Sequence, residues 1–292
     1  VNRAEFVRCV GSAWPALAYR AEAGIATTFP ETLVWYAEPL HRRGVVLRHD
    51  ADRVLPAASI IKLLIARTLI DAVGRGELAL DAGVALRASD RVGGSDRYGR
   101  LRPGRYPLAE LLGAMLSLSD NTAANALLHA AGMKRCNGVA AAMGLAATRI
   151  RRTFYDWEAQ RRGSENTTTA RESATLLVDL VRRAGDAGRA GGAARLVVRA
   201  LLAQTDRESI PPALLTRTAI ANKTGELPGV RNDVAVVGYG HPDAYVVAVM
   251  SRFMHTPRSV AVREIRNVID DVDRRLRLPS PRPSDGPRGR RG

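Results

Sequence analysis

Ser59 and Lys62 stand three positions apart at the head of Ser59-Ile60-Ile61-Lys62-Leu63-Leu64, an unusually apolar setting for a lysine. From Ile60 to Ile70 the chain is Ile and Leu, broken only by Lys62, Ala66, Arg67 and Thr68, with neither Gly nor Pro. Such a run predicts a helix buried on nearly every side, with Ser59 at its N-terminus and Lys62 on the same face one turn on. An ammonium buried there without a partner is costly enough to give up its proton. A neutral lysine beside a serine hydroxyl is a base beside a nucleophile. Taken alone, the four residues fit better a capping serine followed by a lysine that reaches solvent. Residues further along decide the matter.

Ser119-Asp120-Asn121 follows 60 residues after Ser59, and Lys223-Thr224-Gly225 sets its lysine 104 residues after Ser119. Separately, these are a polar turn between helices and a strand end with a solvated lysine. As an ordered set they are the signature of class A β-lactamases and penicillin-binding proteins, and the sequence resembles that family. The flanks agree: Leu111-Leu112-Gly113-Ala114-Met115-Leu116-Ser117-Leu118 before the second motif and Asn121-Thr122-Ala123-Ala124-Asn125 across its end. Thr167-Thr168-Thr169 resembles the family's threonine run, and Gly229-Val230-Arg231-Asn232-Asp233 the segment after its third motif. The resemblance covers residues 32 to 276. Lys62 and Lys223 are two of only three lysines, with Lys134, in a chain otherwise arginine-basic; an arginine cannot act as a base.

The resemblance implies a β-lactamase-like serine hydrolase that forms an acyl-enzyme on Ser59, cleaving a β-lactam or another amide or ester. Lys62 would take the serine proton, its pKa lowered by burial and by Lys223, and Ser119 would relay a proton to the leaving group. The backbone N–H of Ser59, at a helix start, and that of Glu226 would receive the developing oxyanion. Asn121 would hold a substrate amide; Lys223, Thr224 and Arg231 would take a substrate carboxylate beside Gly225. Arg231 is equally well read as a surface salt-bridge residue. The alternative function is a serine-dependent transacylase or esterase that passes the acyl group to an amine or alcohol; a non-catalytic binding module is the third reading.

Two positions depart from the family. Its deacylating glutamate lies on the loop before the threonine run. Counting back from Thr167 lands on Thr153, and counting forward from Thr148-Arg149 lands on Phe154; neither is an acid. Glu158 and Asp156 are the acids nearby, and Glu158 is the candidate base. Glu226, where small or hydroxylated residues are usual, would disfavour a substrate carboxylate.

The elements that must position these residues follow from patterning. Thr32–Ala37 and Gly44–His49 read as strands of a hairpin turning through Arg42, Arg43 and Gly44, and residues 2–23 as helical pieces interrupted at Pro15. Helices are expected from Ser59 to Gly74, from Pro107 through Leu116, over Thr122–Ala131 and Arg171–Arg183, and from the Gly-rich 185–192 stretch to Leu202. Strands follow at Ala219–Thr224, Asp233–Gly238 and Ala244–Met250, then a helix over Val260–Leu276. The expected fold is α+β: an antiparallel sheet flanked by helices in three α/β/α layers, built from residues 1–54 and 206–278, with an all-helical subdomain at 55–205 inserted, all one catalytic domain over 1–278.

Composition narrows the partners. The chain has 292 residues, 46% of them apolar, which suits one large domain, and a net charge of +15 carried almost wholly by arginine. That bias is weak evidence for nucleic-acid binding, and the Pro/Gly/Arg-rich 279–292 reads as a disordered tail. Cys9 and Cys136 and five scattered histidines offer no metal spacing, so no metal or cofactor is expected. The expected partner is a small acyl substrate, with no nucleic acid and no membrane span, for a monomer. No export signal is seen, so the chain is read as cytoplasmic or as a mature secreted form.

Overall fold

The computed structural model describes residues 31–41, 46–94, 97–214 and 219–277. The expected helical pieces at 2–23, the turn at 42–44, the tail at 279–292 and Cys9 lie outside them. In chain order the elements are β1 (Thr32–Pro39), β2 (Leu47–His49), β3 (Leu55–Pro56), α1 (Lys62–Gly74), β4 (Gly83–Leu86) and β5 (Gly104–Pro107). Then come α2 (Leu108–Ser117), α3 (Asn121–Ala131), α4 (Met133–Ala142), α5 (Trp157–Arg161), β6 (Thr167–Thr168), α6 (Ala170–Arg183), α7 (Gly188–Leu202) and α8 (Ile210–Ala213). Last are β7 (Ile220–Leu227), β8 (Val230–Val237), β9 (Tyr245–Arg252) and α9 (Arg258–Arg277).

The main sheet runs β2-β1-β9-β8-β7, every pair antiparallel, so strands from the two ends of the chain meet where β1 pairs with β9. Side chains alternate between its faces, as strand geometry requires. Val34, Tyr36, Val234, Val236, Val246 and Ala248 join the core of the inserted helices. Trp35, Ala37, Val237, Val247 and Val249 meet Ile265, Val268, Ile269 and Val272 of α9, whose buried residues recur at helical spacing. The three-layer α+β arrangement read from the sequence is therefore present. No helix among the described residues is long and apolar enough to cross a membrane.

Two smaller pairings bear on the site. β3, which leads into Ser59, pairs with β6 inside the threonine run, so Thr167 and Thr168 fix the approach to the serine. Asn232 of β8 donates from Nδ2 to the Pro56 carbonyl oxygen at 2.9 Å and ties that approach to the main sheet. Some elements were not foreseen: the β4–β5 pair flanks the Gly- and Arg-rich loop, and α4, with only Cys136 and Ala140 buried, has no apolar stripe to announce it. A glycine opens α7, so residues 188–192 of the Gly-rich 185–192 stretch lie inside the helix rather than ahead of it.

Candidate active site

Ser59 sits in a 3₁₀ turn, Ala58–Ile61, that feeds directly into α1. With about three residues per turn there, the side chains of Ser59 and Lys62 leave the backbone on the same side. Ala58 just before it has φ +48°, a left-handed conformation costly for a residue with a Cβ. β7 presses against this turn. A Cβ on Gly225 would lie 3.0 Å from the Ala57 carbonyl oxygen and 3.1 Å from the Ser59 backbone nitrogen, so only glycine lets the strand pass that close.

Lys62 is fully buried, and its ammonium donates to the Ser119 carbonyl oxygen at 2.6 Å, Ser119 Oγ at 3.1 Å and Asn121 Oδ1 at 2.8 Å. Lys223, equally buried, reaches the same Ser119 Oγ at 3.1 Å and the Thr224 carbonyl oxygen at 2.8 Å. Ser119 thus bridges two lysines. Burial, and then the charge of Lys223, hold Lys62 well below the usual ammonium range. Burial brings Lys223 down to about 7, against the opposing pull of Asp233 and Asp206. The turn that delivers Ser119 is built by its neighbour: Asp120 caps α3, accepting from Ala123 N at 2.8 Å and from Tyr98 N at 2.9 Å. Ser119 itself has φ +56°. Lys62's hydrogen bonds run to Ser119 and Asn121 rather than to Ser59, so the expected serine–lysine contact is not made.

The loop before the threonine run corrects the candidate base. Asp156 caps α5 through Ala159 N at 2.9 Å, and the helix so started turns Glu158 outward, 72% exposed and paired with Arg162. Phe154 instead faces the site, with Lys62 Nζ 4.8 Å from its ring centroid. Asn125 pins its backbone, donating to Phe154 O at 3.2 Å and accepting from Phe154 N at 2.8 Å. Asn121 donates from Nδ2 to the Gly94 carbonyl oxygen at 2.9 Å.

Ser59, Asn121, Arg152, Phe154, Tyr155, Trp157, Glu226, Phe253 and Arg258 are among the residues lining a cavity of about 600 Å³. Arg231 is not the surface residue of the alternative reading: it is fully buried, with Nη1 and Nη2 each 2.8 Å from Asp206 and Nη1 2.7 Å from Glu226. Burial alone would raise the Asp206 carboxyl, yet Arg231 holds it down at about 2. Arg152, Glu165 and Arg258 were missed by sequence reasoning, since none belongs to a motif. Glu165 lines the cavity, but Arg152 and Asn166 N hold one carboxylate oxygen at 2.8 Å each and Gln160 the other at 2.5 Å. Among the described residues no cluster of His, Cys, Asp and Glu could hold a metal ion.

No curated protein matches the chain by sequence. Among solved structures it is similar to PBP-A, at 23% identity and a TM-score of 0.74 over 86% of this chain and 93% of that one. It is also similar to the β-lactamase from Sphaerobacter thermophilus DSM 20745, at 26% identity and 0.72 over 86% and 93%. The class A β-lactamase from Mycobacterium abscessus aligns at 24% identity and 0.74 over 85% and 95%. The profile described as "Beta-lactamase enzyme family" (Beta-lactamase2) matches residues 18–272. With the fold, the ordered motifs and that match in agreement, the chain belongs to the β-lactamase enzyme family and is a β-lactamase-like serine hydrolase.

Proposed function

We propose that Ser59 forms an acyl-enzyme that water releases slowly, so that an amine or alcohol is the more effective acceptor. Ser59 Oγ attacks the acyl carbon and its proton passes to Lys62, which in its neutral form has given up one of its three bonds to Ser119 and Asn121 and turns its lone pair to Ser59. The backbone N–H groups of Ser59 and Glu226 stabilise the oxyanion. As the intermediate collapses, the bond to the leaving group breaks and the leaving group takes a proton through Ser119, which Lys62 and Lys223 both touch. The leaving group then lies beside Ser119, Lys223 and Thr224.

The observation that carries this reading is Phe154, whose ring lies over Lys62 and on which one of the two spacing counts for the deacylating acid lands. Water there meets an aromatic ring instead of a carboxylate, and Glu158 faces solvent. The phenylacetylglycyl thioester of mercaptoacetamide, a neutral donor followed by thiol release and intact-protein mass, tests it. The expected result is a burst of one equivalent, an adduct that persists for minutes, and its faster loss on adding a primary amine. Rapid turnover without a persistent adduct gives the plain hydrolase reading instead. No adduct with either this thioester or a fluorophosphonate removes the enzymatic reading altogether.

A further inference from the structure

Glu226 follows Gly225 at the rim of the cavity, where its carboxylate is 43% exposed and hydrogen-bonded to two arginines. It accepts from Arg231 Nη1 at 2.7 Å, from Arg258 Nε at 2.5 Å and from Arg258 Nη2 at 3.1 Å. Each nitrogen of Arg231 is already bonded, Nε to Ser209 Oγ at 2.9 Å and the other two to Asp206 and Glu226. Arg258 also grips Glu208, through Nη1 at 2.8 Å and Nη2 at 2.6 Å. The bonded set therefore holds three carboxylates (Asp206, Glu208 and Glu226) against two guanidiniums, a surplus of one negative charge. Arg266 reaches only the backbone carbonyl oxygen of Glu208. A guanidinium fork is the natural receiver of a ligand carboxylate, and here the chain has filled both forks with its own.

We infer that this rim selects acyl donors whose leaving group is uncharged or cationic and rejects those that carry a carboxylate there. The inference rests on the acyl-enzyme reading above, which puts the leaving group beside Lys223 and Thr224. An anionic leaving group would have to displace Glu226 from Arg231 and Arg258 or lie against it, and like charges at contact disfavour the complex. An amide or ester end loses nothing by the presence of Glu226. An ammonium end gains an acceptor from it.

Three phenylacetylglycyl thioesters of similar length test this: those of mercaptoacetate (anionic), mercaptoacetamide (neutral) and thiocholine (cationic). The readout is the rate of adduct formation on Ser59 by intact-protein mass, for the natural protein and for Glu226→Gln and Glu226→Thr, with a thermal melt confirming that each variant folds. The neutral and cationic thioesters are expected to acylate the natural protein at least about tenfold faster than the anionic one. Glu226→Gln, which removes the charge and keeps the shape, is expected to shrink that ratio by about tenfold, with Glu226→Thr following it. An anionic thioester that reacts as fast as the neutral one overturns the inference, as does a ratio unchanged in both folded variants. Labelling of Ser59 by a fluorophosphonate without any thioester adduct overturns the inference alone. No labelling by any of the four reagents overturns the acyl-enzyme reading, and this inference with it.

Discussion

At the scale of single residues, the chemistry turns on what surrounds Lys62. Its ammonium is flanked by an aromatic ring on one side and by the Ser119 hydroxyl, shared with Lys223, on another. Burial and the charge of Lys223 favour a neutral base for acylation, and the ring offers water no carboxylate for release. Phe154→Glu is therefore expected to speed loss of the adduct by about 10²-fold, the lower range for a well-placed general base, while Phe154→Leu leaves the adduct long-lived. Glu158→Gln is expected to change nothing in the same measurement, because its side chain faces solvent. The time course of adduct mass after removal of free donor reads all three. If Phe154→Glu releases the acyl group no faster than the natural protein, the ring is not what keeps water idle. The sequence carried half of this: motif spacing marked Ser59, Lys62, Ser119 and Lys223, and one of two counts landed on Phe154. The orientation of Glu158 was hidden, because it depends on Asp156 starting a five-residue helix too short to show a period.

At the scale of elements, the site is a contact between one strand and one 3₁₀ turn. β7 delivers Lys223, Thr224 and Glu226, and Gly225 lets it lie against Ala57, Ala58 and Ser59. Gly225→Ala would put a Cβ 3.0 Å from the Ala57 carbonyl oxygen, 3.1 Å from Ala58 Cβ and 3.1 Å from Ser59 N. Strand and turn must then separate by a few tenths of an ångström. Oxyanion donors act only within a narrow range of distances, so this variant is expected to acylate roughly 10- to 100-fold more slowly. Its melting temperature should fall only modestly, since β7 stays paired along its length with β8. Adduct formation by a neutral thioester and a thermal melt check both parts; an acylation rate equal to the natural protein's would mean that the close approach has no catalytic role. Strands and helices with a clear period were readable from sequence, including the sheet strands and α9. The partners of Glu226 were not: Arg258 is 32 residues away and reaches it across the fold, and no local pattern records that.

At the scale of the whole molecule, the inserted helices and the sheet close over two buried lysines, and a fold that buries basic groups near neutrality must respond to pH. Burial brings Lys223 down to about 7 in the folded chain, against an ordinary value of 10.5. Between those values the unfolded chain binds the proton and the folded one does not, so stability rises with pH across that window and is flat below it. Lys62, held well below its ordinary value by burial and by Lys223, acts in the same direction. Asp233 has the opposite sign: burial raises it to about 6 from 3.8, so the folded state binds the extra proton and stability falls as pH rises through that interval. Lys223 and Asp233 between them put a shallow minimum of stability between about 6 and 7, with a rise on the alkaline side. Denaturant unfolding from pH 7 to 9 is expected to show ΔG increasing by on the order of a few kcal/mol, and Lys223→Met is expected to remove roughly half of that rise, Lys62 supplying the rest, while lifting stability at pH 7. A natural protein whose stability is level over that range, or a variant that retains the full rise, would mean that Lys223 keeps its proton in the folded state and is not a group through which stability depends on pH.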